Sequence, residues 1–251
     1  MHLDLTSPVL DRVSHRPYPL PSEPWVGHMR WCDLAFLHWA MDPSLVLPLL
    51  PAGLELDTYD DKAWIGVVPF RMEEVRLRFA PNVPGISAFP ELNVRTYARV
   101  GDRTGVWFFS FDAANRLAVR GARLMLNLPY YDAEMTVARV GEAIDYRSRR
   151  VHANATPAEL AAIYAPAGDV YEAKPGTLEY FLVERYCLFL VQSGRLRALD
   201  VHHHPWPLQR ATVRIETNTM AAATGIPLPP DPPLAHFARG IEVVAWKPHS
   251  L

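Results

Sequence analysis

Runs rich in Val, Ile, Phe, Tyr and Trp recur at close spacing along this chain, and they constrain its fold more than any other feature. AWIGVVPF, ELNVRTYARV, TGVWFFSFD, MTVARV, EAIDYRSRRV, YCLFLV, RLRALDVHHH and ATVRIETN all read as strands. Helical candidates are few and short: residues 43–50 behind a cap signal at Asp42, residues 115–126, and residues 177–184 with Thr177 as N-cap. Many strands with so little helix predict a mainly β fold with short helices, an antiparallel sheet closed or nearly closed into a barrel, where strand edges are paired away.

Prolines cluster at residues 17–24 (PYPLPSEP) and 227–233 (PLPPDPP), and both stretches read as extended connectors. Neither marks a domain boundary. The second leaves only LAHFARGIEVVAW, a lone strand that must join an earlier sheet, so one domain over residues 1–251 is expected.

The best-defined hairpin runs from Glu91 to Asp112 through the Gly- and Asp-containing connection VGDRTG. In its first strand, FPELNVRTY, alternation puts Glu91, Asn93, Arg95 and Tyr97 on one face and Leu92, Val94 and Thr96 on the other. Its partner, GVWFFSF, is apolar on both faces, which requires cover on both sides. The Glu91 face is therefore expected to line an interior cavity; the plainer alternative is a half-buried strand with that face in water.

A net charge of −2 offers no basic patch for nucleic acid or an anionic membrane. The first residues, MHLDLTSPVLDRV, carry no basic segment followed by an apolar run, and nothing approaches the roughly 18 apolar residues of a membrane-spanning helix, so a soluble cytoplasmic protein is expected. Cys32 and Cys187 are far apart and read as reduced core residues. The three lysines, Lys62, Lys174 and Lys247, sit in polar or Pro-flanked contexts and are expected at the surface.

No nucleophile elbow and no phosphate-binding glycine motif occurs, so nucleotide cofactors have no support and none is expected. The triplet in VHHHPWPLQ is the one metal candidate: on a strand, His202 and His204 share a face at a spacing that can chelate one ion. No third ligand is visible, and polar packing at a strand end is the plainer reading. Two segments remain, VRGARLMLNLPYYDAEM and GTLEYFLVERY. The first sets Arg120 and Arg123 a helical turn apart before Pro129, Tyr130 and Tyr131; the second carries Glu179, Glu184 and Arg185. Salt-bridged amphipathic turns would account for them, but arginines beside an apolar barrel demand a carboxylate or an anionic ligand.

The succession PELNVRTY, GVWFFSFDAxN, ARxxxxLPYYxAxM, GTLExFLxERY and VHHxPWPL, spread from Trp31 to Trp246, resembles an uncharacterised bacterial domain-of-unknown-function family grouped with the acetoacetate decarboxylase-like superfamily. The resemblance implies a barrel around a small, partly apolar pocket. In the decarboxylases a strand glutamate is followed by an R-E-x-x-G-x-P-K-K segment whose first lysine forms a Schiff base. Glu91 matches the strand glutamate, Arg120 or Arg123 the arginine, and Pro129 the proline, while Tyr130 and Tyr131 stand where the lysines fall. A phenol cannot form an imine, so Schiff-base decarboxylation is not expected.

What survives is a pocket for a small anionic or carbonyl-bearing metabolite. Glu91, Tyr130 and Tyr131 are the catalytic candidates, and Asn93, Arg95, Arg120, Arg123 and Glu179 the ligand-binding ones. The chemistry would be that of a cofactor-independent lyase, hydratase or isomerase. A non-catalytic sensor or carrier is the main alternative and a His202/His204 metal enzyme the other. Exposed aromatic strand faces make a homodimer the expected association, if any.

Overall fold

A computed structural model describes residues 8–251; residues 1–7, part of the segment read above for targeting signals, lie outside the described residues. In chain order the strands are β1 Gly27–Met41, β2 Glu55–Leu56, β3 Ala63–Leu77, β4 Phe89–Val100, β5 Arg103–Ala113, β6 Tyr130–Val140, β7 Ala143–Arg150, β8 Glu159–Tyr171, β9 Cys187–Gln192, β10 Arg195–His202, β11 Leu208–Asn218, β12 Leu234–Ala245 and β13 His249–Ser250. The helices are α1 Pro43–Val46, α2 Arg116–Leu126 and α3 Leu178–Val183. No helix among the described residues is long and apolar enough to cross a membrane.

All thirteen strands belong to one mostly antiparallel sheet. The strands β12, β1, β3, β4 and β5 form a wall of antiparallel neighbours, and at each edge of that wall the sheet forks. Along β5, Val106 and Trp107 pair with β9, whereas Phe111 to Ala113 pair with β6. Along β12, residues 236–238 pair with β11, whereas Val244 and Ala245 pair with β10. The sheet β6-β7-β8-β11 thus closes over one face of the wall and β9-β10, with α3, over the other. The first closure makes a ring through β5, β6, β7, β8, β11, β12, β1, β3 and β4.

Alternation explains how one wall serves two interiors. Leu34, Phe36, Val68, Phe70 and Tyr97 pack into the core on the β9-β10 side. Their strand neighbours Ala35, Leu37, Val67, Leu92 and Val94 pack into the core on the β6-β8 side. The doubly apolar run in β5 has the same cause: Val106 and Phe111 join the first core, Phe109 packs on the second, and Trp107 packs on a third cluster around Phe189.

The expected hairpin is present, turning through Gly101 at φ 57° between β4 and β5. The expected helices shorten or break where their sequence dictates. Residues 43–50 form α1 capped by Asp42, and then, at Pro48, a 3₁₀ turn over Leu47–Leu49, because a proline inside a helix lacks the amide its ladder needs. Asn115 caps α2 and Thr177 caps α3. Both proline clusters are without helix or strand. Two long strands, β1 and β8, were not legible in the sequence.

Candidate functional site

The polar face of β4 looks into the core on the α3 side. Glu91, Asn93 and Tyr97 are buried and Arg95 is half-buried. At the Glu91 end, the Tyr130 hydroxyl donates to Glu91 Oε2 at 2.9 Å. Tyr130 reaches it because β6 leaves the helix α2 in parallel register with β5, setting Tyr130 beside Phe111, on whose ring it stacks at 4.4 Å. Glu91 is 2% exposed, and burial, aided by the nearby charge of Asp112, pushes its carboxyl up to about 8 against the smaller opposing effect of the Tyr130 hydrogen bond. Burial and the neighbouring carboxylate likewise raise Tyr130, so at neutral pH both groups carry their protons.

From Glu91 this buried polar and aromatic region, the chamber below, continues along an aromatic wall. Phe70, opposite Glu91 on β3, meets Trp31 edge-on at 6.1 Å; Trp31 stacks on Trp206 at 5.9 Å; and Trp206 meets Phe36 edge-on at 4.9 Å. Several buried polar atoms here have no protein partner: the indole nitrogens of Trp31 and Trp206, Asn93 Oδ1 and Arg95 Nε. Unpartnered groups of this kind cost stability unless water or a polar guest meets them.

At the far end, the Arg95 guanidinium lies 5.5 Å from the Phe36 ring centre and donates to the Leu182 carbonyl at 3.3 Å. His38 and Tyr97 stand beside it, and the Tyr97 hydroxyl lies 2.7 Å from both His38 Nε2 and the Leu182 carbonyl. Glu91 and Arg95 are therefore opposite poles, four residues apart along one strand, or roughly 13 Å.

The remaining expected residues distribute differently. Tyr131 points away from Glu91 because consecutive strand residues face opposite sides. Its ring covers the Arg150 guanidinium at 4.0 Å, and Arg150 makes a buried two-pronged pair with Asp112, both contacts at 2.7 Å. Arg120 is exposed on α2. Arg123 is also exposed and donates to the Tyr130 carbonyl at 2.7 Å, holding the backbone of that residue and not its phenol. Glu179 is half-buried on α3, where its charge acts on His236 and Tyr171.

Arg185 pairs with Asp57 at 2.6 Å, a partner 128 residues away, so its ion pair is long-range and not the local salt-bridged turn the sequence suggested. Glu184 accepts from the Trp206 amide at 2.9 Å and from the Tyr186 hydroxyl. His202 and His204, the metal candidates, turn to separate partners. His202 donates from Nε2 to the Val9 carbonyl at 2.9 Å and faces Arg16 with Nδ1, while His204 binds Asp11 at 2.8 Å. The strand ends at His202, so the alternation that would align the two rings stops there. Among the described residues no group of three or more His, Cys, Asp or Glu is arranged to hold a metal ion.

Lys62, Lys174 and Lys247 are all exposed, so no lysine lines the chamber. Cys32 and Cys187 are buried and free. His38, His236, Trp31 and Trp206 complete the chamber and had escaped sequence reasoning. The placement of His38, His236 and Trp31 depends on β1 and β12 flanking each other, and that of Trp206 on the segment between β10 and β11 packing back on Trp31 and Phe36, for which no local motif signals.

Comparison with known proteins agrees with this architecture. A family model described as DUF2071, uncharacterized conserved protein, matches residues 28–242. The uncharacterized protein YqjF of Bacillus subtilis (strain 168) is 42% identical over 236 residues, covering 94% of this chain and 97% of that one. Among solved structures, an acetoacetate decarboxylase-like enzyme from Sphingomonas wittichii RW1 superposes with a TM-score of 0.62 at 13% identity, covering 94% of this chain and 98% of that one. The enduracididine biosynthesis enzyme MppR complexed with pyruvate superposes with a TM-score of 0.60 at 12% identity, covering 94% and 92%. At such identities the likeness establishes the fold: a barrel-like sheet of the acetoacetate decarboxylase type.

Proposed function

The chain belongs to the DUF2071 family of uncharacterized conserved proteins, and from that premise we propose that it binds a small keto acid in the α3-side chamber and moves protons beside the carbonyl with Glu91 and Tyr130. One observation carries this reading: a fully enclosed carboxyl, raised to about 8, bonded to a phenol and not to a cation. Asp112, the buried carboxylate nearest to it in the sheet, is by contrast paired with Arg150, while Glu184 shares the phenol bond but spends its other oxygen on the Trp206 amide. A carboxyl that titrates near neutrality suits a general acid and base.

In this scheme the carbonyl sits at the Glu91 pole and the carboxylate at Arg95, whose Nε–H has no protein partner. Ionised Glu91 takes a proton from the carbon beside the carbonyl and the electron pair passes to the carbonyl oxygen; the neutral Glu91 then donates to the Tyr130 oxygen, which frees the phenol proton to turn from Glu91 to the enolate oxygen. Return of the proton from Glu91 to the enolate completes an exchange. The MppR structure complexed with pyruvate supports a keto acid as ligand class. With every lysine exposed, the chemistry proceeds without an imine.

The test is deuterium uptake from heavy water, followed by proton NMR, with 7-oxooctanoate, whose carbonyl and carboxylate are far enough apart to approach both poles, and pyruvate as the short comparator. Glu91→Gln is expected to slow uptake by at least about a hundredfold while ligand binding persists. Uptake equal in the variant and the parent protein would sink the assignment. Binding of 7-oxooctanoate without any uptake in the parent protein would make the chamber a carrier's cup.

A further inference from the structure

The Arg95 pole holds more than a cation. Tyr97 is fully buried, and its hydroxyl lies 2.7 Å from the Leu182 carbonyl, which can only accept, so the phenolic proton points there. The Tyr97 oxygen must then accept from His38 Nε2, also at 2.7 Å. This chain of bonds assigns the imidazole its tautomer: hydrogen on Nε2 and a bare lone pair on Nδ1. His38 is 1% exposed, yet Nδ1 has no hydrogen-bond partner.

The same imidazole packs beside Arg95. A Cβ on Gly66 would lie 3.2 Å from His38 Nε2 and 3.3 Å from Arg95 Cγ, so the glycine lets the imidazole and the arginine stem share one spot on β3. Both rest on Phe36, the imidazole parallel to its ring at 6.3 Å and the guanidinium at 5.5 Å. His236, opposite Phe36 on β12, is also buried with an unpartnered Nδ1. Burial, reinforced by the charge of Arg95, keeps His38 neutral and its lone pair available.

We propose that this pole is a hydroxy-acid site, in which Arg95 holds a carboxylate while His38 Nδ1 accepts a hydrogen bond from a hydroxyl on the adjoining carbon. Tyr97 is the positioning residue that fixes the tautomer. The inference rests on the keto-acid reading of the chamber and narrows it: the substrate is a keto acid carrying a hydroxyl beside its carboxylate, with an apolar or aromatic middle against Phe36 and Trp206.

Calorimetric titration with 3-phenyllactate and 3-phenylpropionate, which differ only in that hydroxyl, tests it. The hydroxy acid is expected to bind at least tenfold more tightly, and His38→Phe to erase the preference. Nitrogen-15 NMR of the unaltered protein is expected to show His38 Nδ1 unprotonated and shifting when 3-phenyllactate is added. Equal affinities, binding of neither acid, a preference that survives His38→Phe, or a protonated Nδ1 would each overturn the proposal. Proton exchange at the Glu91 pole is read separately: exchange intact without hydroxyl preference sinks the hydroxy-acid site alone, and preference without exchange sinks the acid–base assignment alone.

Discussion

Glu91 shows what a functional carboxyl costs the fold. Its proton is held in the folded chain up to a pH of about 8, whereas an unfolded glutamate releases it near 4.5. Between those limits the unfolded chain binds fewer protons, so stability falls as pH rises, by up to about 1.4 kcal/mol per unit, and levels off above 8. Glu91→Gln, neutral at every pH and able to accept from Tyr130, is expected to melt at a higher temperature than the parent at pH 8 and at nearly the same temperature near pH 4.5. Parallel melting curves across that range would show that Glu91 ionises normally. At this scale the sequence was informative where alternation applied: one strand pattern placed Glu91 and Asn93 inward. The same rule shows why only one member of Tyr130 and Tyr131 could join Glu91, and the choice of Tyr130 was set by the register of β6 on β5. The tautomer of His38 had no sequence signature, since it depends on a carbonyl contributed by Leu182.

At the scale of elements, caps and turns were legible because they are local. Asn115 accepts from the Leu117 and Ala118 amides at the start of α2 and donates to the Ile86 carbonyl at 2.9 Å. Asn115→Ala removes the cap and the tie to the preceding loop, and is expected to cost about 1–2 kcal/mol, read as a lower denaturant midpoint with unchanged slope. No change would mean that the helix start is held by packing alone. β1 and β8 escaped notice for opposite reasons. Residues Gly27–Met41 run through tryptophans, histidines and leucines with few β-branched side chains, and are a strand because partners on both sides impose it. Residues Glu159–Tyr171 begin ELAAIYA, alanine-rich and helix-like, and are extended by pairing with β7 and β11.

Over the whole molecule, two cores share a single wall, so neither can open without exposing the back of the other. Gly105 sits at one fork, where an added Cβ would lie 2.7 Å from the Cys187 carbonyl oxygen and 2.8 Å from the Phe189 ring. Gly105→Ala is expected to push β5 from β9 at a cost of about 1–3 kcal/mol, shifting one cooperative transition downward by roughly 2–4 °C for each kcal/mol. Two separate calorimetric transitions would show instead that the cores melt independently. The fork at the other edge carries a consequence for biosynthesis. The strand Leu234–Ala245 bonds to β1, β10 and β11. During translation β1 leaves the ribosome long before this companion exists, and its tryptophans and leucines must wait without a hydrogen-bonding neighbour on that side. Such delayed, long-range closure is slow and leaves the nascent chain prone to association until residues 234–245 have emerged, which is the interval in which chaperones have most to protect.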